Sequence, residues 1–542
     1  MAIGPVLRAI VLLLVTACTS RVPRTPRDAH LGSVHFATSC DPAVRDRFDH
    51  AVALLHHMTY TQARAEFRAV AAADPGCAMA HWGIAMTLFT PLWPTRPSPG
   101  ELAQGWEAAS RAQSLAPRTR REQLYVAATL AFFQDPSSKD YWARIDRWEA
   151  AMKAVHDAAP DDIEASAFYA LATLATARPG PSVIEHSQQA IALLLPVHQR
   201  HPDHPGAMHY IIHANDVPGR ERENLDVVRR YEAIAPDNPH ALHMPTHIYT
   251  RLGDWDGVIA GNLRAAKAAL HYPAGAHGEY VWDEFPHAIE YLVYGYLQQG
   301  ADARAAAEVQ RLLSTPNLQP SAKTAFHLAS TRARYALERH AWKEAAAIVP
   351  REPAVVAWDD FPWPEAIMWF ARGYGSLRQG DAAEASRALE RLAALEARAA
   401  AQGEDVFTRQ IRMLSLLLQG WSAHVGSDDA KAVLLIQQAV ELEGNTPKPP
   451  VTPASTLPAP EILGDLYLEL GQPERAATAY RLSLQRFPRR FNSSLGLARA
   501  LSKLRGDAGA RQAYCDVAAI GAKGARAAEL DEVRRACPHP HR

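Results

Sequence analysis

The chain has 542 residues, 48% of them hydrophobic and 21% charged, with a formal net charge of −1. This is globular composition, and the charge balance excludes a protein built chiefly to grip nucleic acid or an anionic membrane surface. Only 30 Gly argue against a turn-rich β fold, and after the N-terminus no apolar run is long enough to span a bilayer.

Residues 1–18 read as an export signal. Arg8 supplies positive charge, Ala9 to Val15 is an apolar run, and small Thr16 and Ala17 precede Cys18. Val15-Thr16-Ala17-Cys18 resembles a bacterial lipobox. The resemblance implies cleavage before Cys18 and lipid on its sulfur. That lipid would be the only membrane anchor, on the outer membrane or the periplasmic face of the cell envelope. A plain signal peptide is the alternative. Residues 19–38, with Pro23 and Pro26, read as a tether.

Cys40, Cys77, Cys515 and Cys537 remain. An even number in an exported chain allows two disulfides. Pairing of neighbours would staple each end of the fold, but three connectivities stay open. None lies in a C-x-x-C, which argues against a thiol redox centre or a cysteine zinc site.

The body from residue 39 reads as an array of helix pairs. Ala51, Leu54, Ala63, Phe67 and Pro75 fall at positions 8, 11, 20, 24 and 32 of a 34-residue repeat. Thr90 to Gly100 holds four Pro and is predicted to be a loop. Residues 268 to 287 read as an irregular connection. Weaker units follow over 301–446, marked by Gly373, Gly380 and Ala385 and by Gly420 and Ala432. Residues 447–460 form a second Pro-rich loop. The clearest unit then places Leu463, Gly464, Tyr467, Gly471, Ala476, Tyr480 and Pro488 at positions 7, 8, 11, 15, 20, 24 and 32. This matches the tetratricopeptide (TPR) pattern, in which small residues let two helices approach and large ones fill the gap. The fold class is all-α, a TPR-like solenoid of roughly ten to thirteen helix pairs, with tidy repeats over 461–542.

Histidine carries the chemical signal. Of 24 His, eleven fall between residues 198 and 287. His209 with His213, and His243 with His247, are both H-x-x-x-H, a spacing that puts two imidazoles on one helical face. His287 and Glu290 form an H-x-x-E. These segments start 34 and 44 residues apart, near one repeat each, so stacking would bring them side by side. His209, His213, His243, His247, His287 and Glu290 are the expected metal ligands, with Glu290 the candidate catalytic base. Asp216 and His240 are expected to orient them. Imidazole and carboxylate would suit Zn, Fe, Mn or Cu. A metal there could assist hydrolysis or oxidation. Alternatively these His hydrogen-bond one another, and the concave groove binds a peptide or protein without catalysis. Nucleic acid is not expected as a partner. A second group, His50, His56, His57 and His81, reads as structural or groove-lining.

The words A-L-L-H-H (53–57), D-P-G-C-A-M-A-H-W-G-I-A-M (74–86), H-P-G-A-M-H-Y-I-I-H-A-N-D (204–216), P-H-A-L-H-M-P-T-H-I-Y-T-R-L-G-D-W (239–255) and H-A-I-E-Y-L-V-Y (287–294) resemble a group of bacterial TPR lipoproteins. The resemblance spans most of residues 40 to 300. It implies the repeat fold and these histidines, and no particular reaction.

Overall fold

A computed structural model describes residues 30–538, apart from 94–95, 136, 139, 179, 181, 276–277, 505–506, 522 and 525. Cys18 and the expected signal segment lie outside the described residues. Helices dominate because the apolar residues recur at helical spacing and short polar residues cap the starts. Asp140, Asp162, Asp254, Asp381 and Asp428 each accept a backbone N–H at an N-cap. Ser98 and Thr119 form capping boxes with Glu101 and Glu122. Twenty-six α-helices and two short 3-10 turns result among the described residues. The strands among the described residues are Pro273–Ala274 and Tyr280–Val281, which pair antiparallel within the expected irregular connection. No helix among them is long and apolar enough to cross a membrane.

Successive helices pack as antiparallel pairs, and the predicted small positions are where they touch. A Cβ added at Gly464 would meet the Tyr480 ring at 2.7 Å, and one at Gly496 would meet the same ring at 2.4 Å. Tyr480 thus fills the gap that two glycines leave. Gly420 against Ile436 repeats the logic one unit earlier.

The array closes on itself. The Trp255 indole donates to the Arg489 carbonyl at 2.9 Å. Gly253 turns there with φ +66, and a side chain on it would strike the Pro488 carbonyl oxygen. Arg490, fully buried, reaches Glu461 and Glu338, both at 2.6 Å. Arg526 pairs with Asp302 at 2.8 Å. The C-terminal helices therefore rest on the middle of the chain. One consequence is the helix Glu284–Gln298, all of whose residues are buried. It forms the axis of the molecule rather than an amphipathic outer layer.

Two expectations change. Part of the expected tether is packed: Leu31, Val34 and Phe36 are buried, and Phe36 lies against Phe48, Trp82 and Tyr125. The expected open groove is also covered. Arg334, on the inner helix Ala322–Leu337, donates to the carbonyls of Ala454 and Ser455 at 2.9 and 3.0 Å. The second Pro-rich loop thus lies inside the curve where a peptide was expected. The four cysteines pair as neighbours, Cys40 with Cys77 and Cys515 with Cys537.

Candidate metal centre

Four helices carry the central histidines. His209 and His213 lie on Pro205–Asn215. His240 and His243 lie on Pro239–His243, and His247 on Pro245–Leu252. Pro245 interrupts the hydrogen bonding, but Met244 between the two pieces keeps helical backbone angles (φ −54, ψ −41), so His243 and His247 still share a face. His287 lies on the axial helix. Stacking sorts these residues into two trios: His209, His213 and His240, and His243, His247 and His287. Within each trio, one ligating atom per residue lies within 4.8 Å of the others.

The second trio has its protons assigned by its neighbours. His243 Nδ1 lies 2.7 Å from Asn262 Oδ1. Asn262 donates its own amide N–H to the Val258 carbonyl at 2.8 Å, so Oδ1 is the atom facing His243, and His243 donates from Nδ1. His247 Nδ1 lies 3.0 Å from Asp216 Oδ2. Burial would raise the Asp216 carboxyl, but Arg251 and Lys448 beside it prevail and hold it well below the usual carboxylate range. Asp216 is therefore an acceptor, and His247 donates from Nδ1. Both neutral rings then present a bare Nε2, and these two atoms stand 2.9 Å apart. Two acceptors at that distance make no hydrogen bond. Adding a proton to either ring would restore one, but burial pushes both imidazoles down. Nitrogen ligands about 2.0–2.1 Å from one tetrahedral zinc-like ion would lie about 3.3–3.4 Å from each other, so an ion would spread this pair by a few tenths of an ångström.

The third ring is fixed by a longer chain. His327 Nδ1 lies 2.6 Å from Glu290 Oε2, so His327 donates to the carboxylate. Its Nε2 then accepts from His287 Nδ1 at 3.0 Å. His287 is left with a bare Nε2 as well. The Tyr291 ring packs on all three imidazoles, at 4.7, 5.4 and 5.2 Å between centroids.

The first trio is fixed at two of its three rings. His209 donates from Nδ1 to the His56 carbonyl at 2.6 Å. His240 donates from Nδ1 to Glu284 at 3.1 Å, and its buried Nε2 has no hydrogen-bond partner. Burial would raise the Glu284 carboxyl, but Lys323 and His240 hold it well below the usual range. His213 brings its Nε2 to 3.1 Å from that of His209. The two trios open on one small cavity of about 20 Å³. His213, His240, His247 and His287 line it, along with Met58, Leu92, Trp93, Met244, Pro450 and Val451. Both Pro-rich loops thus converge over the histidines.

Each expected residue can now be placed. The five expected His ligands share this centre, and Asp216 stands behind His247 as an orienting acceptor. His240 joins a trio instead of standing behind one. Glu290 turns away from both trios: its oxygens accept from His327, Ser330 and Arg334. That engagement leaves it neither a ligand nor a base at the cavity. His327, Asn262 and Glu284 were not anticipated. His327 follows His287 by 40 residues, another near-repeat spacing that could have marked it.

A nearby cluster shows the contrast. His56, Glu164 and His204 also lie close enough to share an ion. Here every proton has a destination. The Ala207 N–H donates to His204 Nδ1 at 3.0 Å, and His204 donates from Nε2 to Glu164 at 3.1 Å. His56 donates to Glu164 at 2.7 Å and accepts from the Tyr210 hydroxyl at 3.0 Å. His57 likewise donates to the Leu31 carbonyl at 3.1 Å and accepts from Tyr231 at 2.7 Å. These groups are complete without a cation.

No family model matches the chain, and no curated protein matches it. Among solved structures, the APC/C hetero-tetramer Cut9–Hcn1 is similar at 14% identity over 91% of this chain and 90% of that one, with a TM-score of 0.30. A human IFIT1 dimer with m7Gppp-AAAA is similar at 12% identity over 92% and 95%, TM-score 0.38. The TPR domain of P58(IPK) is similar at 11% identity over 85% and 98%, TM-score 0.20. Values this low carry no argument about this chain, whose repeat architecture rests on its own helix pairs.

Proposed function

We propose that this helical-repeat protein is a metalloprotein whose two histidine trios hold transition-metal ions. The observation that supports the reading is the 2.9 Å approach of His243 and His247 through nitrogens that have both been stripped of hydrogen by Asn262 and Asp216. A cation between two such lone pairs turns an unfavourable contact into a bond. The partners behind the rings also fit, since a ligand imidazole ordinarily donates its other N–H to a carboxylate, carbonyl or similar acceptor. An all-imidazole set favours Zn, Cu, Fe or Ni over oxygen-seeking ions. Metal-assisted hydrolysis or oxidation is the chemistry such a centre would supply. The test is elemental analysis of protein purified without a His tag. Stoichiometric metal, reduced by the second trio's share in H243A/H247A while the helical circular dichroism persists, is the expected result. Metal-free protein that takes up none when titrated would overturn the reading.

The proposal includes the address expected from residues 1–18, a lipid anchor on Cys18 in the cell envelope. C18S should move the protein from the membrane fraction to the soluble one, and unchanged membrane fractionation would count against the anchor.

A further inference from the structure

The surroundings of the two trios narrow the metal and its ligand, an inference that rests on the metalloprotein reading. No carboxylate oxygen joins either trio, so all six inward nitrogens are neutral ligands. The three carboxylates behind the rings are each already met by a basic side chain. Asp216 has Arg251, Glu284 has Lys323 and Glu290 has Arg334. Two dications would bring four positive charges into a buried site whose backing carboxylates already face basic side chains, with Asp283, which shares Lys323 with Glu284, offsetting only part of them, and uncompensated buried charge is costly. Two monovalent ions bring half as many. Imidazole suits copper, and thioether sulfur favours its cuprous state. Met58 and Met244 line the shared cavity. Met58 does so from the left-handed turn that closes helix Arg45–His56, φ +54, with its N–H on the Leu55 carbonyl. The rest of the lining beyond the histidines is Leu92, Trp93, Pro450 and Val451, which suits a small apolar molecule better than a charged substrate.

We infer that the two trios hold a pair of cuprous ions and that the cavity between them takes up dioxygen. The electrons balance within the site. Each Cu(I) gives one electron, dioxygen receives two and becomes a peroxide dianion, and its O–O bond order falls from two to one. The copper pair gains two positive charges and the new ligand brings two negative ones. No proton moves, and the net charge of the buried site is unchanged.

The experiment titrates the purified chain anaerobically with Cu(I) against a chromophoric copper chelator, then admits air. Two copper ions per chain, uptake of one dioxygen per two copper, a new near-ultraviolet absorption and a copper pair silent in electron paramagnetic resonance are expected. H213A, at the less buried member of the first trio, should keep one copper and lose dioxygen uptake. Two bound copper ions that take up no dioxygen would overturn this inference and leave the metalloprotein reading standing. So would stoichiometric zinc that copper does not displace, or air-oxidised copper that shows the full signal of isolated Cu(II). Failure to bind any metal would overturn both.

Discussion

His287 and Glu290 sit one turn apart on the same helix, yet they meet only through a third residue from the next repeat. Glu290 takes a hydrogen bond from His327 at 2.6 Å, and His327 takes one from His287 at 3.0 Å. The carboxylate thereby fixes the tautomer of a ring it does not touch. E290Q should therefore weaken metal binding without removing a ligand. Outer partners of this kind are worth about 10–100-fold in affinity. Chelator competition should show that loss at unchanged stoichiometry. The variant also leaves buried Arg334 with only the more distant Glu338 carboxylate at 3.8 Å, so its melting temperature should fall. Loss of one metal equivalent would instead make Glu290 a ligand.

Metal removal should be visible in stability. A ligand that binds only the folded chain stabilises it by about 4 kcal/mol at a thousandfold excess over Kd. Stripping the protein with a strong chelator should lower its melting temperature by a few degrees. H243A/H247A, with only the first trio intact, should show a smaller drop on stripping than the native protein. An identical melt of the native protein before and after stripping would mean the facing nitrogens are satisfied in another way.

The sequence showed the fold and the histidine pairs because both depend on spacing along one helix. Gly464 and Tyr480 mark a helix pair wherever they occur at positions 8 and 24. His209 and His213, four apart, share a face in any helix. What stayed hidden depends on which neighbour a face meets. The axial helix is buried all round, so an H-x-x-E on it need not point both residues one way, and Glu290 turns to His327 and Arg334. Asn262 and Glu284, which set the ring protons of His243 and His240, come from contacts between helices that no local spacing records. Nor does any repeat pattern announce that Arg334 will anchor the Pro-rich loop inside the curve.

The glycine contacts give a test of the repeat packing. A methyl group at Gly464 or Gly496 would collide with the Tyr480 ring, which is fully buried and has little room to yield. Overpacking of this kind costs about 1–3 kcal/mol, against which Ala recovers up to about 1 kcal/mol of helix propensity. G496A, the closer of the two, should therefore destabilise more than G464A in denaturant titration. Combining G496A with Y480L should cost less than the two changes summed. Strict additivity would mean that Tyr480 is not what excludes the methyl group.

The same repeat contains a carboxyl group whose effect on stability should vary with pH. Burial and then the neighbouring Glu461 charge push Asp465 up to about 7, while the Tyr480 hydroxyl donates to it at 2.5 Å. An acid raised in the folded state holds its proton there after the unfolded chain has lost it. Its penalty is absent below the ordinary value near 3.8, grows as pH rises, and is complete above about 7. D465N keeps an acceptor for Tyr480 and removes the charge. Because Asp465 retains some solvent contact, the gain should be about 1–2 kcal/mol rather than the full value of the shift. Melting curves should show D465N more stable than the native protein at pH 8 and the two converging near pH 4. A difference that stays constant across that range would show that Asp465 is charged in the folded chain throughout it.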